Sequence, residues 1–131
     1  MQRVEALIAA NPDLKVVIRE WPIFEGSDAA ARMALAAARQ GKFAAFHRAM
    51  FERGTPSPAG VEAAARAAGL DLAAAQAFAA SSQVDAEIAR NQALARQLGF
   101  GGTPSWVIGD QVIEGAVGPE RLQDAIDAAG G

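Results

Sequence analysis

The chain has no cysteine. That absence excludes internal disulfides, thiolate metal sites and any reaction whose attacking thiolate would come from these 131 residues. It leaves the redox compartment open. A single histidine, His47, excludes a histidine-cluster metal site. A site built on one histidine and carboxylates would need a tight Asp/Glu group, and none stands out; no metal and no cofactor are expected. No apolar run approaches the roughly 20 residues of a spanning helix, so no membrane insertion is expected. The formal net charge of -3 gives no reason to expect nucleic acid or an anionic membrane as partner. No glycine-rich segment leads into a helix with Lys-Ser/Thr, so Gly109-Asp110 reads as a turn rather than a phosphate loop. The start lacks a basic stretch followed by an apolar one, and no signal peptide is expected. There is no repeat, linker or charge run.

What is present is ordinary for a globular domain: 131 residues, 51% hydrophobic and 21% charged. That length suffices for one domain with a buried core. Most of it reads as Ala-rich helix, and the clearest interruption lies near the C-terminus. Gly101-Gly102-Thr103-Pro104 leads into two short β-branched runs, Ser105–Ile108 and Gln111–Glu114, joined by Gly109-Asp110. This spacing predicts a hairpin, and glycine at the first turn position favours type II′. Proline cannot donate to a ladder, so Pro104 should precede the strand. X-Pro bonds are also the ones that adopt cis at modest cost.

A helix ending in Gly99-x-Gly101-Gly102-Thr103-Pro104-Ser105, a short hairpin, then Glu114-Gly115-Ala116-Val117 and a last helix resembles the C-terminal half of the DsbA-like branch of the thioredoxin fold. Upstream, Arg19-Glu20-Trp21-Pro22-Ile23-Phe24 followed by Ser27 and an Ala-rich helix is similar to that family's second strand and the loop after it. The resemblance covers nearly the whole chain. It implies an α/β thioredoxin-like fold as a single domain over 1–131, with a helical insertion over roughly 43–98 and without the first core strand. It implies a family of thiol:disulfide oxidoreductases, whose Cys-x-x-Cys opens the first helix. This chain has no such motif, so no catalytic residue is assigned and it is expected to be redox-inactive as it stands. The family's oxidases are typically exported, which implies a periplasmic or envelope location.

Along the chain, Gln2–Ala10 reads as a helix with Val4, Leu7 and Ile8 on one face, stopped by Asn11-Pro12-Asp13. Its start has no cap, and the resemblance expects another turn or two upstream. Leu14–Trp21 reads as a strand, because the run Val16-Val17-Ile18 suits a position covered on both faces. Ser27 is expected to cap a helix ending at Gly41. Phe43, Phe46 and Met50 share one face of the next helix. His47 is expected to pack against Phe43 and Phe51, with acid/base or metal work as the functional alternative. Ser57-Pro58 reads as cap and first helical position, Gly69-Leu70 as a glycine stop, and Asp71 as the next cap with Leu72, Ala75 and Phe78 inward. Ser82-x-x-Asp85 resembles a capping box. Val84, Ile88, Asn91, Leu94, Ala95 and Leu98 form one stripe, and Asn91 either bonds backbone there or faces water at the boundary. Gly118-Pro119 starts a last helix with Leu122, Ala125, Ile126 and Ala129 inward.

Three readings of chemistry follow. By the resemblance, Gly102, Thr103 and Pro104 form a substrate-binding loop: the backbone of the residue before the proline pairs with an extended polypeptide, which is strand addition. Read from sequence alone, the same residues are a helix-to-strand connection. Trp21 and Trp106 either line a groove or pack at the core rim. Glu20 and Glu114 would do acid/base work as a pair, but nothing in the sequence brings them together, and solvated or ion-paired roles are expected. The absent central strand leaves three outcomes: it lies upstream of Met1, a second copy supplies it by strand exchange, or Lys15–Glu20 and Ser105–Ile108 pair directly. The functional expectation is a DsbA-family disulfide-exchange domain. The alternatives are a non-catalytic peptide-binding or assembly module, and a cysteine-free relative of the glutathione-dependent isomerases.

Overall fold

The computed structural model describes residues 2–22, 27–53 and 57–130. Seven helices and one hairpin follow in the order α1 (Gln2–Ala10), α2 (Ser27–Arg39), α3 (Phe43–Arg53), α4 (Pro58–Ala67), α5 (Leu72–Ala79), α6 (Ser82–Gln97), β1 (Ser105–Ile108), β2 (Gln111–Glu114) and α7 (Pro119–Ala128). They form two compact units. One comprises Met1–Arg19 and Ala93–Gly131, the other Glu20–Gln92. The boundary falls inside α6. The expected residues Ile23 and Phe24 lie outside the described residues.

In the first unit the hairpin forms as its turn residues require. Ser105 pairs with Glu114 and Ile108 with Gln111, antiparallel, around a two-residue loop. Gly109 has φ +60 and Asp110 is not left-handed, the pattern of a type II′ turn. A Cβ on Gly109 would also stand 2.9 Å from the Ala129 Cβ, so glycine is needed there for space as well as for φ. Leu7 of α1 and Leu122 and Ile126 of α7 make a small core, with Leu14, Trp106, Ile108 and Val117 packed on it. Asn11 ends α1: its side-chain amide donates to the Leu7 carbonyl at 2.8 Å and exchanges hydrogen bonds with the Gln123 amide at 2.8 and 3.0 Å. Two expected inward positions fail. Ile8 and Ala129 are exposed, because the packed stripe is narrower than the apolar pattern of either helix.

The expected strand Leu14–Trp21 is not one. The segment has no regular structure, β1 pairs only with β2, and Val16, Val17 and Ile18 are exposed. Nor does Lys15–Glu20 pair directly with Ser105–Ile108. A strand exists only when a neighbour satisfies its amides and carbonyls. No described segment stands beside this one in a ladder, so its β propensity has nothing to act through.

The second unit is a helical cluster. Its core is Met33, Ala34, Ala36 and Ala37 of α2 against Phe46, Ala49, Val61, Ala64, Ala65, Leu70 and Ala75. Alanine at this density lets helix axes approach closely, and Phe46, 1% exposed, fills the space left. The helix punctuation is local chemistry. The Ser57 hydroxyl accepts from the Gly60 amide and Pro58 opens α4. The Asp71 carboxylate accepts from the Ala74 amide. Gly69, at φ +75, ends α4, and the Leu70 amide returns to the Ala65 carbonyl. Ser27 lies inside α2 as its first residue rather than ahead of it. The expected capping box at the start of α6 is corrected. Ser81, not Ser82, accepts from the Val84 amide, and the Asp85 carboxylate turns instead to Arg32 at 2.7 Å. Arg32 also holds Asp28 at 2.8 Å and the Ala79 carbonyl at 3.0 Å, tying α2 to the last residue of α5.

Candidate functional site

The loop from Gly101 to Pro104 is held at three points within the first unit. The Gly101 amide donates to the Glu114 carboxylate at 2.7 Å. The Ser105 hydroxyl donates to the Gly102 carbonyl. The Gly115 amide donates to the Pro104 carbonyl at 2.8 Å, extending the hairpin ladder by one bond. The Thr103–Pro104 peptide is cis. Between these anchors stands Thr103, exposed, and no hydrogen bond joins its amide or carbonyl to another described residue. A Cβ at Gly101 or Gly102 would meet nothing within 4 Å, so the approach to this backbone is open. Gly102, Thr103 and Pro104 therefore form a fixed, solvent-facing backbone element with one residue's donor and acceptor unused.

Glu114 is not a free surface carboxylate: it is the clamp on Gly101. Sequence reading missed this role. The only available signal was its place at the end of β2, directly opposite Ser105 in the hairpin register. Trp106 lies on the small core of this unit, and its indole N–H donates to the Gly115 carbonyl at 3.0 Å.

The remaining candidates belong to the second unit. His47 sits between the rings of Phe43 and Phe51, with centroid distances of 5.1 and 4.8 Å. Glu20 and Trp21 line a pocket of about 240 Å³ together with His47, Phe46, Met50 and Phe51. Trp21 thus takes the groove-lining reading and Trp106 the packing one. Burial pushes the Glu20 carboxyl up to about 7. The main chain beneath it is anchored, because the Asn91 side-chain amide donates to the Glu20 carbonyl at 2.9 Å. Asn91 is 4% exposed, so of its two readings the buried, backbone-bonded one holds. Among the described residues no three His, Asp or Glu side chains converge in a way that would hold a metal ion, and no helix is long and apolar enough to cross a membrane.

Comparison with known proteins places these features. The chain is similar to a thioredoxin-like oxidoreductase from Silicibacter pomeroyi, at 47% identity and TM-score 0.91, over 98% of this chain and 76% of that one. It is similar to a periplasmic thioredoxin-like protein from Salmonella enterica serovar Typhimurium, at 28% identity and TM-score 0.79, over 98% and 73%. The catalytic domain of Proteus mirabilis ScsC superimposes with TM-score 0.84 at 25% identity, over 98% and 72%. No curated protein sequence matches it. The model of the DSBA-like thioredoxin domain matches residues 1–127, almost the entire length. With its cis Thr103–Pro104 loop leading into the hairpin and the seven helices among its described residues, this chain belongs to the DSBA-like thioredoxin domain family.

Proposed function

We propose that this chain is the polypeptide-recognising portion of a DsbA-type thiol–disulfide exchange domain. An extended polypeptide pairs with the Thr103 backbone, with Gly102 and Pro104 shaping the approach. The observation that carries this reading is the pair of unused Thr103 backbone groups, held in place by Glu114, Ser105 and Gly115. Strand addition of this kind takes affinity from main-chain hydrogen bonds and reads little sequence. The two units are then parts of one DsbA-like domain, with 43–98 as its helical insertion. No step of exchange is performed by these residues, because the attacking species is a thiolate and the chain has no cysteine.

The test has two arms. Insulin reduction with dithiothreitol is expected to run no faster with the chain than without it. Titration of a reduced, unfolded polypeptide is expected to shift the amide resonances of Gly102 and Thr103. Shifts confined to other segments would remove the proposed loop.

A second reading, an assembly module, is favoured by the irregular segment Leu14–Ile18, which carries exposed Val16, Val17 and Ile18 and joins no ladder. Strand exchange between two copies would cover it. Sedimentation equilibrium decides: a dimer with these residues protected supports this reading, and monomer at all concentrations ends it.

A further inference from the structure

We propose that the pocket bounded by Glu20–Pro22, the first turns of α2 and the Phe46–Phe51 stretch of α3 is a binding site for an organic cation on an apolar stem, an alkylammonium or the lysyl side chain of a peptide. The pocket lies wholly in the second unit, and the inference is independent of the reading of the Thr103 loop.

The walls set the stem. Trp21, Phe46 and Met50 are apolar, and Ala30, Ala31 and Ala34 of α2 leave the floor free of bulky side chains. The alanines that allow close packing elsewhere in this unit here create room. About 240 Å³ of space opens to solvent on one side. Such a lining takes up a hydrocarbon chain and leaves one end near water.

The polar lining sets the head group. Ser27 and His47 have interactions of their own. The Glu20 carboxylate does not: no hydrogen bond or ion pair joins it to any described residue. Among the described residues it is the only acidic side chain lining the pocket. A half-buried carboxylate without a donor is an unusual arrangement, because solvation is lost and nothing replaces it. The elevated proton affinity of Glu20 has burial as its cause and no neighbouring charge. A neutral apolar guest would deepen that desolvation, and an anion would add repulsion. A cation supplies the missing partner, and the Trp21 and Phe51 rings that also line the pocket favour a positive charge further. Asn91 fixes the Glu20 main chain, so the carboxylate is presented from a defined position.

The experiment uses the whole chain, isotope-labelled, at about pH 8, where the Glu20 carboxyl is ionised. Hexylammonium, hexanol and hexanoate are titrated separately. Hexylammonium is expected to shift the amides of Trp21, Ala30 and the Phe46–Phe51 stretch of α3, with affinity at least roughly fivefold above the other two. Glu20→Gln keeps the volume and removes the charge, and should reduce hexylammonium to the level of hexanol. Ala30→Leu fills the floor with Glu20 intact, and should abolish binding of all three. Acetyl-Ala-Lys-Ala-amide against acetyl-Ala-Leu-Ala-amide distinguishes the source. Preferential binding of the lysyl peptide assigns a peptide side chain, and binding of hexylammonium alone assigns a free amine. The proposal is overturned if hexanol or hexanoate matches hexylammonium, if folded Glu20→Gln retains full affinity, or if the shifts map away from the pocket.

Discussion

The Glu114 carboxylate accepts a hydrogen bond from the Gly101 amide at 2.7 Å, so the last residue of the hairpin fixes the first residue of the loop that precedes it. The bond closes a small circuit. The Ser105 hydroxyl and the Gly115 amide hold the same loop from the open end of the hairpin, where β1 begins and β2 ends. Between these ties Thr103 stands with its backbone unpaired, which is the geometry that strand addition needs.

Glu114→Ala should therefore act on the loop before it acts on the hairpin. The bond is exposed, so its loss should lower stability by only about 0.5–1.5 kcal/mol. Amide exchange at Gly101 should accelerate strongly, while the Trp106 and Ile113 amides, which face each other in the hairpin ladder, keep their protection. Uniform acceleration across both would show that Glu114 stabilises the unit generally rather than the loop.

Gly109 and Gly99 have similar left-handed φ, +60 and +75, but different surroundings. A Cβ at Gly109 would press on Ala129 at 2.9 Å, and one at Gly99 would meet nothing within 4 Å. Gly99→Ala should cost about 1 kcal/mol, the strain of the conformation alone. Gly109→Ala should cost about 2–3 kcal/mol, since contact is added to strain. Urea midpoints of the two variants measure the difference directly. Equal shifts would mean that Ala129 moves aside freely.

Glu20 makes stability depend on pH with a defined sign. Its carboxyl is near 7 folded against an ordinary 4.5, so the folded state binds the proton more tightly. The contribution is complete below about 4.5 and is lost as pH rises through about 7. Allowing for its partial exposure, the loss is on the order of 2 kcal/mol. Glu20→Gln should match the parent near pH 4.5 and exceed it near pH 8. Parallel denaturation curves at the two pH values would contradict the assignment.

Asn91→Ala removes the donor to the Glu20 carbonyl from a position that is 4% exposed. The loss should be about 1–3 kcal/mol, the cost of an orphaned buried acceptor. It should also loosen the Trp21 segment, read as faster exchange of the Trp21 amide. A stability change without any change at Trp21 would place the role of Asn91 within α6 alone.

The legible parts of this chain were those whose cause lies within a few residues. Ser57-Pro58, Gly69-Leu70 and Asp71 set helix ends through bonds to backbone three to five positions away, and each appears as its residue types imply. Even there, neighbouring serines were not distinguishable. Ser81 rather than Ser82 caps α6, and Asp85 is held by Arg32, which is more than fifty positions away in sequence. The candidate loop was legible as Gly-Gly-Thr-Pro, but its clamp was not, since nothing in Glu114 itself announces an amide partner thirteen positions earlier.

The sequence alone therefore settled the hairpin register, the type II′ turn at Gly109, the helix ends at Ser57-Pro58, Gly69-Leu70 and Asp71 and the absence of any thiol, because each depends on covalent identity or on neighbours close along the chain. Tertiary structure decided that Val16–Ile18 forms no strand, that Glu20 loses solvent without gaining a side-chain partner among the described residues, and that Asn91 is buried against the Glu20 carbonyl. Ladder pairing and desolvation are properties of what lies alongside a residue in space, and the pattern of a segment does not contain its neighbour.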